Sequence, residues 1–183
     1  YAALYSETVT VQLENDFLPF LYPNQYVNFT PDSKASQLAL SLIDEDTVDV
    51  DALQQIYDYV VSNLTYDYEK ADTVTTGYLP DVDETLKTGT GICFDYAALT
   101  TAMLRSCDIP CKLQIGYAGD IKHAWIDVYI RGKGWVEQAI TYDGEKWNRM
   151  DPTFTANSED EELINSYIGD LSLIHISEPT RRS

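Results

Sequence analysis

GTGICFDYAALTTAMLRS, residues 89–106, joins a glycine-containing loop to a stretch that is apolar on nearly every side of a helix. Such a helix packs in the centre of a domain. Cys93 lies at its start, where the helix dipole and unpaired amide groups favour a thiolate and can receive an oxyanion. Gly89 and Gly91 carry no side chain, so we expect the loop to let a substrate approach closely. The segment predicts a buried helix from Cys93 to about Ser106 with a reactive thiol at its N terminus.

Two other residues occur in settings that suit the same chemistry. His123 lies in KHAWIDVY, residues 122–129, where alternation predicts a strand with His123 and Trp125 on one face. Asp151 comes directly before a proline, which ends a strand. A thiol, an imidazole and an orienting carboxylate form a nucleophilic triad. Cys93, His123 and Asp151 are therefore the candidate catalytic residues.

Each of these residues also has a simpler interpretation when taken alone. A cysteine is more often a buried structural thiol, a strand histidine is more often a core residue, and an aspartate before proline is more often a turn former. Asp95, in the first helical turn, would oppose the thiolate of Cys93 unless its carboxylate points away or an imidazolium at His123 outweighs it. Tyr66 and Tyr78 are candidate donors to an oxyanion, and no pattern selects either.

Length and charge limit the classes of function. The chain has 183 residues, which suits one domain with a sizeable core. Its formal net charge is -18, with only 12 lysines and arginines, which argues against a nucleic acid or an anionic membrane surface as partner. No run of about 18 apolar residues is present, so we expect no membrane-spanning segment.

Helix signals come before strand signals along the chain. Glu7–Leu13 alternates as a strand does, Ser33 is a candidate N-cap for a first helix, and a second helix begins at about Asp49. Residues 65–88 show no sustained period and are expected to form a loop packed near the Cys93 helix. A calcium loop at the acidic residues 81–84 is disfavoured, because the ligand spacing of an EF-hand is missing.

Strand patterns follow the Cys93 helix. Asp108 is in a position to turn left-handed at the helix end, a conformation that aspartate tolerates. A hairpin turn is expected at 131–134. The predicted strands are Lys112–Tyr117, Lys122–Ile130, Gly134–Ala139 and a short one at Lys146–Met150. This order predicts an α+β fold in which a helix lies on an antiparallel sheet.

The three cysteines are an odd number, so at least one thiol is unpaired. Cys107 and Cys111 are interpreted as small buried hydrophobic residues. A local disulfide between them, or a redox or zinc protein built on all three cysteines, remains an alternative.

Taken together, the motifs resemble those of the transglutaminase-like superfamily. They are GICFDYA at 91–97, Ile-Pro at 109–110, HAW at 123–125 and DPT at 151–153, and the resemblance covers about residues 34–155. It implies a papain-like α+β core with the catalytic helix packed on an antiparallel sheet. It also implies Cys93 as nucleophile, His123 as general base and acid, and Asp151 as the residue that orients the imidazole. Asp108 departs from the family, which usually has glycine there.

The resemblance implies a reaction class rather than one reaction. Members of the family include protein cross-linkers, proteases, amidases and inactive relatives. We therefore expect a cysteine-dependent amide-bond hydrolase or acyl transferase that acts on a protein or peptide, or on a cell-wall polymer, through a thioester. No cofactor and no metal are implied. The alternative is a non-catalytic module that keeps the fold and binds peptide or cell-wall polymer.

Location and domain limits are also expectations. The chain is most similar to domains of secreted or surface proteins of bacteria, which implies an extracellular or cell-surface setting, although no signal segment is seen. We expect a strand or extension over 1–33 and a transglutaminase-like domain, truncated at its C terminus, over 34–170. Residues 171–183 resemble the translation of a transposase adapter used for sequencing libraries. They are therefore left out of the functional argument, and His175 with them.

Overall fold

The structure, a computed structural model, describes residues 8, 10, 12, 14–118, 121–136, 141, 142, 147, 148 and 171–173. A short 3-10 helix at Leu18–Phe20 precedes the main elements. The helices are α1 (Lys34–Leu42), α2 (Asp49–Asn63), α3 (Tyr68–Thr73), α4 (Val82–Thr88) and α5 (Cys93–Ser106). The strands are β1 (Thr65–Tyr66), β2 (Thr90–Gly91), β3 (Cys111–Ala118), β4 (Ile121–Ile130), β5 (Gly134–Val136), β6 (Thr141–Tyr142), β7 (Trp147–Asn148) and β8 (Leu171–Leu173).

Helix α5 forms the centre of the molecule. Its bounds agree with the prediction, and its residues from Asp95 to Arg105 are all buried. It packs against α1, α2 and α4, and also against β3 and β4. Because the helix is apolar on all sides, it can be enclosed by helices and by a sheet at the same time. The predicted α+β fold, with this helix on an antiparallel sheet, is confirmed.

The main sheet is antiparallel and has the strand order β5-β4-β3-β8. β3 and β4 pair from Cys111 opposite Val128 to Ala118 opposite Ile121. The predicted hairpin turn joins β4 to β5, and Gly132 and Gly134 adopt positive φ angles of 79° and 93° there. Asp108, with φ 56°, makes the predicted left-handed turn between α5 and β3.

The prediction of a loop over residues 65–88 is wrong. Two short helices lie there, and each begins with an aspartate that caps it: Asp67 accepts a hydrogen bond from Lys70 N, and Asp81 accepts one from Glu84 N. Helices of six and seven residues have less than two turns, too few for an apolar period to be visible. Their signal in the sequence is the capping aspartate rather than a periodic apolar face.

Helix α1 begins after Ser33, as predicted, but another residue caps it. The Ser33 hydroxyl accepts a hydrogen bond from Thr30 N, outside the helix. The free amides of α1 are taken instead by the carboxylate of Asp83 in α4, with Lys34 N and Ala35 N each at 3.0 Å. The acidic side chain of Asp83 therefore joins two helices.

Asp49 anchors the start of α2 to the hairpin between β4 and β5. Its buried carboxylate accepts hydrogen bonds from the backbone N–H of Arg131 at 2.8 Å and from the Arg131 guanidinium. Burial acts to raise the pKa of Asp49, but the hydrogen bonds and charge of Arg131 outweigh burial and hold this pKa below its usual value. The pair connects two elements that are distant in sequence.

Some predictions fall outside the described residues. These are most of the strand Glu7–Leu13, residues 137–139 of the strand Gly134–Ala139, and parts of the strand Lys146–Met150, of which β7 is described. β8 pairs with β3, so that Leu171–Leu173 continue the sheet. Pairing of this kind uses backbone groups and accepts many sequences. The origin of residues 171–183 in an adapter therefore stays a prediction, as do the domain limits.

We expect Asp83→Ala to lower the free energy of unfolding by about 0.5–2 kcal/mol, because it leaves two amides of α1 without a cap. Urea denaturation followed by circular dichroism measures this change. Ser33→Ala is the matched control and should cost less. A larger loss in the Ser33 variant would contradict the assignment of the cap to Asp83.

We expect Asp49→Asn to lower the free energy of unfolding at pH 7 by about 1–2 kcal/mol, a value kept small because the Arg131 side chain is exposed to solvent. The folded state lowers the pKa of Asp49, so its contribution is present above about pH 4 and is lost as the pH falls through the folded-state pKa. The difference between wild type and variant should thus shrink below pH 4. Asp51→Asn, at an exposed site two residues further along the same helix, is the control. An effect of Asp49→Asn that does not depend on pH would contradict the ion pair.

Candidate active site

A cleft of about 370 Å³ opens at the N terminus of α5. Cys93 lines it from the first residue of the helix, and His123 lines it from β4. Other lining residues come from α3, such as Asp72, and from the segment after it, such as Val74. The structure therefore brings two of the three predicted catalytic residues to one cavity. Asp151 lies outside the described residues, and its place in the triad stays a prediction.

The start of α5 leaves Cys93 half-buried, and the side chain at the N-cap position does not cap the amides of the first turn. The N-cap residue is Ile92, whose side chain has no hydrogen-bond acceptor. Ile92 also lines the cleft, next to Cys93 and Phe94. A helix N terminus carries partial positive charge on its N–H groups. The first turn of α5 thus presents a thiol and amide donors at the same end of the cleft.

His123 is held by the sheet and by a neighbouring indole. In the β3–β4 register it lies opposite Gly116, which has no side chain to crowd the imidazole. Its ring stacks on Trp125, with the ring centroids 6.5 Å apart and the planes at 19°. Only 6% of His123 is exposed to solvent, and Trp125 is buried. The predicted location of both residues on one face of a strand is confirmed.

The two glycines before Cys93 have other roles than the open approach predicted for them. Gly89 ends α4 with φ 64°, and Gly91 is buried; neither is among the residues that line the cleft. A Cβ at Gly91 would come within 2.6 Å of the Cβ of Asp95. Gly91 is therefore required by packing against Asp95 rather than by access of a substrate.

Asp95 is the centre of a hydrogen-bonded network beneath the cleft. Its carboxylate accepts hydrogen bonds from Ile92 N at 2.8 Å, from Lys70 Nζ at 2.7 Å and from the Tyr78 hydroxyl. Lys70 Nζ also donates to the Tyr78 hydroxyl at 2.7 Å. The carboxylate predicted to oppose the thiolate is thus turned back onto its own helix start and paired with a cation.

Sequence reasoning missed Lys70 and did not select Tyr78. Lys70 lies on the short helix α3, whose presence the hydrophobic pattern did not reveal. Tyr78, one of two tyrosines considered as oxyanion donors, lines the cleft with the other, Tyr66. The hydroxyl of Tyr78 is engaged by Asp95, which makes it part of the network. The only sequence signal for α3 is its cap at Asp67.

The other two cysteines are separate from the cleft. Cys107 and Cys111 are free thiols, so the alternative of a disulfide between them is wrong. Burial, followed by the charge of Asp108, raises the pKa of Cys107 to about 11. The Sγ of buried Cys111 lies 3.5 Å from Thr101 Oγ1. Over the part of the chain that the structure describes, no cluster of histidine, cysteine and acidic residues could hold a metal ion.

The family model of the transglutaminase-like superfamily matches residues 36–152, more than half of the chain. This chain belongs to the transglutaminase-like superfamily. The match includes Cys93, His123 and Asp151, and it begins two residues after the start of α1. Within the described ranges, no helix of this superfamily member is long and apolar enough to cross a membrane.

Three known proteins show how far the similarity extends. YebA of Bacillus subtilis, an uncharacterized protein, is 26% identical over 149 residues, which are 69% of this chain and 20% of YebA. The structure of a candidate cysteine protease from Cytophaga hutchinsonii matches with a TM-score of 0.59 and 24% identity, over 88% of this chain and 47% of that one. The periplasmic domain of TgpA from Pseudomonas aeruginosa matches with a TM-score of 0.53 and 19% identity, over 80% and 51%. The chain spans about a fifth of the length of its curated relatives.

We expect Gly91→Ala to lower the free energy of unfolding by about 1–3 kcal/mol and to slow the alkylation of Cys93, because the new methyl group displaces Asp95 from the helix start. Thermal unfolding and peptide mass spectrometry after iodoacetamide treatment measure the two effects. Thr90→Ala, at the exposed neighbouring position, should change stability by less than about 0.5 kcal/mol. Equal behaviour of the two variants would show that the space at Gly91 is not needed.

Proposed function

We propose that this protein is a cysteine-dependent amide-bond hydrolase or acyl transferase whose reaction passes through a thioester on Cys93. The observation that supports this most directly is that Cys93, in the first turn of α5, and His123 of β4 line the same cleft. A thiol activated by an imidazole is the basis of nucleophilic catalysis by cysteine. Membership of the superfamily is consistent with this chemistry.

In the first half of the reaction His123 takes the proton of the Cys93 thiol, and the thiolate attacks the carbonyl carbon of an amide. A new C–S bond forms, and the negative charge moves to the carbonyl oxygen, where the amide donors of the first turn of α5 stabilise it. The C–N bond then breaks, and the leaving nitrogen takes a proton from the His123 imidazolium. The products of this step are a thioester and free ammonia or amine.

In the second half, water or an amine attacks the thioester. His123 takes a proton from the attacking group, the C–S bond breaks, and the sulfur leaves as the thiolate of Cys93. Water yields a carboxylic acid, whereas an amine yields a new amide. Asp151 is proposed to orient the imidazole of His123 and to stabilise its charged form.

The proposed substrate is a protein or peptide, with a cell-wall polymer as the other candidate. An extracytoplasmic setting is proposed from the fold likeness to the periplasmic domain of TgpA. The cleft has more apolar than polar lining, with contributions from Val74, Phe94 and Ile115, and this suits an uncharged acyl group near the thiol.

The test is the pH dependence of iodoacetamide alkylation, read for each cysteine by peptide mass spectrometry. We expect Cys93 to react rapidly near pH 6, well below the value of about 8.5 at which a free thiol ionises, and His123→Ala to lose this rapid reaction. Cys107 is the internal control, because its raised pKa keeps it protonated and slow throughout.

A second measurement connects reactivity with the reaction itself. An electrophilic probe that mimics an amide should label wild type and fail to label Cys93→Ala. Slow alkylation of Cys93 that follows an ordinary thiol in wild type and in His123→Ala alike would contradict the proposal. That result would favour the alternative, a module that binds peptide or cell-wall polymer without catalysis.

A further inference from the structure

We propose that Lys70 is a positioning residue for Cys93: its ammonium neutralises the buried carboxylate of Asp95, which would otherwise oppose the thiolate in the same helical turn. Tyr78 closes the network by donating its hydroxyl to Asp95. This inference rests on the proposed function, since it concerns how the thiol is activated. It assigns a role to a lysine that does not line the cleft and is not one of the three candidate catalytic residues.

The first step of the argument is the burial of Asp95. Its side chain has no exposed surface, and it occupies the third position of α5, two residues after Cys93. Removing a carboxylate from water is strongly unfavourable unless the carboxylate is paired and hydrogen-bonded. Asp95 has three donors, which are Ile92 N, Lys70 Nζ and the Tyr78 hydroxyl. It is thus held as an anion inside the protein.

The second step is the charge state of its two side-chain partners. Burial acts to lower the pKa of Lys70, but the hydrogen bonds and charge of Asp95, with the contribution of Tyr78, raise it above its usual value. Burial and Asp95 raise the pKa of Tyr78. At neutral pH the network therefore contains one anion, one cation and one neutral phenol. Its net charge is zero only because Lys70 is present.

The third step is the position of this neutral network relative to the thiol: Asp95 shares the first turn of α5 with Cys93, and Tyr78 lines the same cleft as Cys93. A like charge close to an ionising group disfavours its charged form, and the effect is strong where water is excluded. Around Cys93 the cleft also contains His123 from β4, Asp72 from α3 and Tyr66 from β1. These groups are unchanged when Lys70 or Asp95 is replaced, so a comparison of such variants isolates the contribution of the pair.

A charge role can be separated from a purely structural one by a double-mutant cycle. The four proteins are wild type, Lys70→Met, Asp95→Asn and the double variant, and the measurement is the rate of Cys93 alkylation from pH 6 to 9. We expect Lys70→Met to slow alkylation at pH 6 on the order of tenfold and to shift the pH profile upwards by about one unit. Asp95→Asn keeps an acceptor for Ile92 N and should react at least as fast as wild type.

The double variant decides between the two roles. If charge balance is what matters, Asp95→Asn should restore alkylation in the Lys70→Met background to within about threefold of wild type, because the unpaired carboxylate is gone. Lys70→Arg, which keeps the charge, should also stay close to wild type. Lys87→Met is the matched control, since it removes another lysine–carboxylate pair, with Glu84, on an exposed face of α4.

Several results would overturn the proposal. Wild-type alkylation in Lys70→Met, or a double variant as slow as Lys70→Met, would each contradict a charge role. If Lys70→Met does not fold, as judged by circular dichroism, slower alkylation in Asp95→Asn than in wild type would contradict it instead. A wild-type Cys93 without rapid, His123-dependent alkylation would overturn both this proposal and the proposed function, whereas the other results overturn this one alone.

Discussion

Helix α5 must be buried along almost its whole length while its first turn remains open to a cleft. The residues from Asp95 to Arg105 are all buried, and three helices and two strands enclose them. Near the C-terminal end of α5, the guanidinium of buried Arg105 donates to the carbonyls of Cys111 and Tyr22, which satisfy it. Cys93, at the other end, stays half-buried. The order of the layers and the location of the cleft both follow from this requirement.

The N-terminal end of α5 carries an electrostatic cost, because it buries a carboxylate. The buried carboxylate of Asp95 is stabilised by donors from three places: its own helix start, helix α3 and the segment before α4. Residues of the same segments line the cleft together with Cys93. The bonds that make the helix start stable therefore also shape the cavity next to the thiol. The inferred activation of Cys93 and the stability of the start of α5 therefore both depend on the hydrogen bonds of Asp95.

Local patterns predicted the long elements well. Several predicted features depend on residues within a few positions of one another. They are the bounds of α5, the starts of α1 and α2, the hairpin at 131–134 and the left-handed turn at Asp108. Side-chain period, caps and turn residues encode such short-range structure directly. The same reasoning failed for α3 and α4, because helices of less than two turns show no period and depend on tertiary packing.

The sequence by itself determined the fold class, the central helix and two of the side chains, Cys93 and His123, that meet at the cleft. Only the tertiary structure decided which groups neutralise and cap the helix starts. Asp83 reaches α1 across 48 and 49 positions of the chain, and Lys70 reaches Asp95 across 25. Such pairs form after the helices have packed, when burial removes water as the competing partner. No sequence pattern near Asp83 or Lys70 predicts these long-range contacts, so only the tertiary structure reveals them.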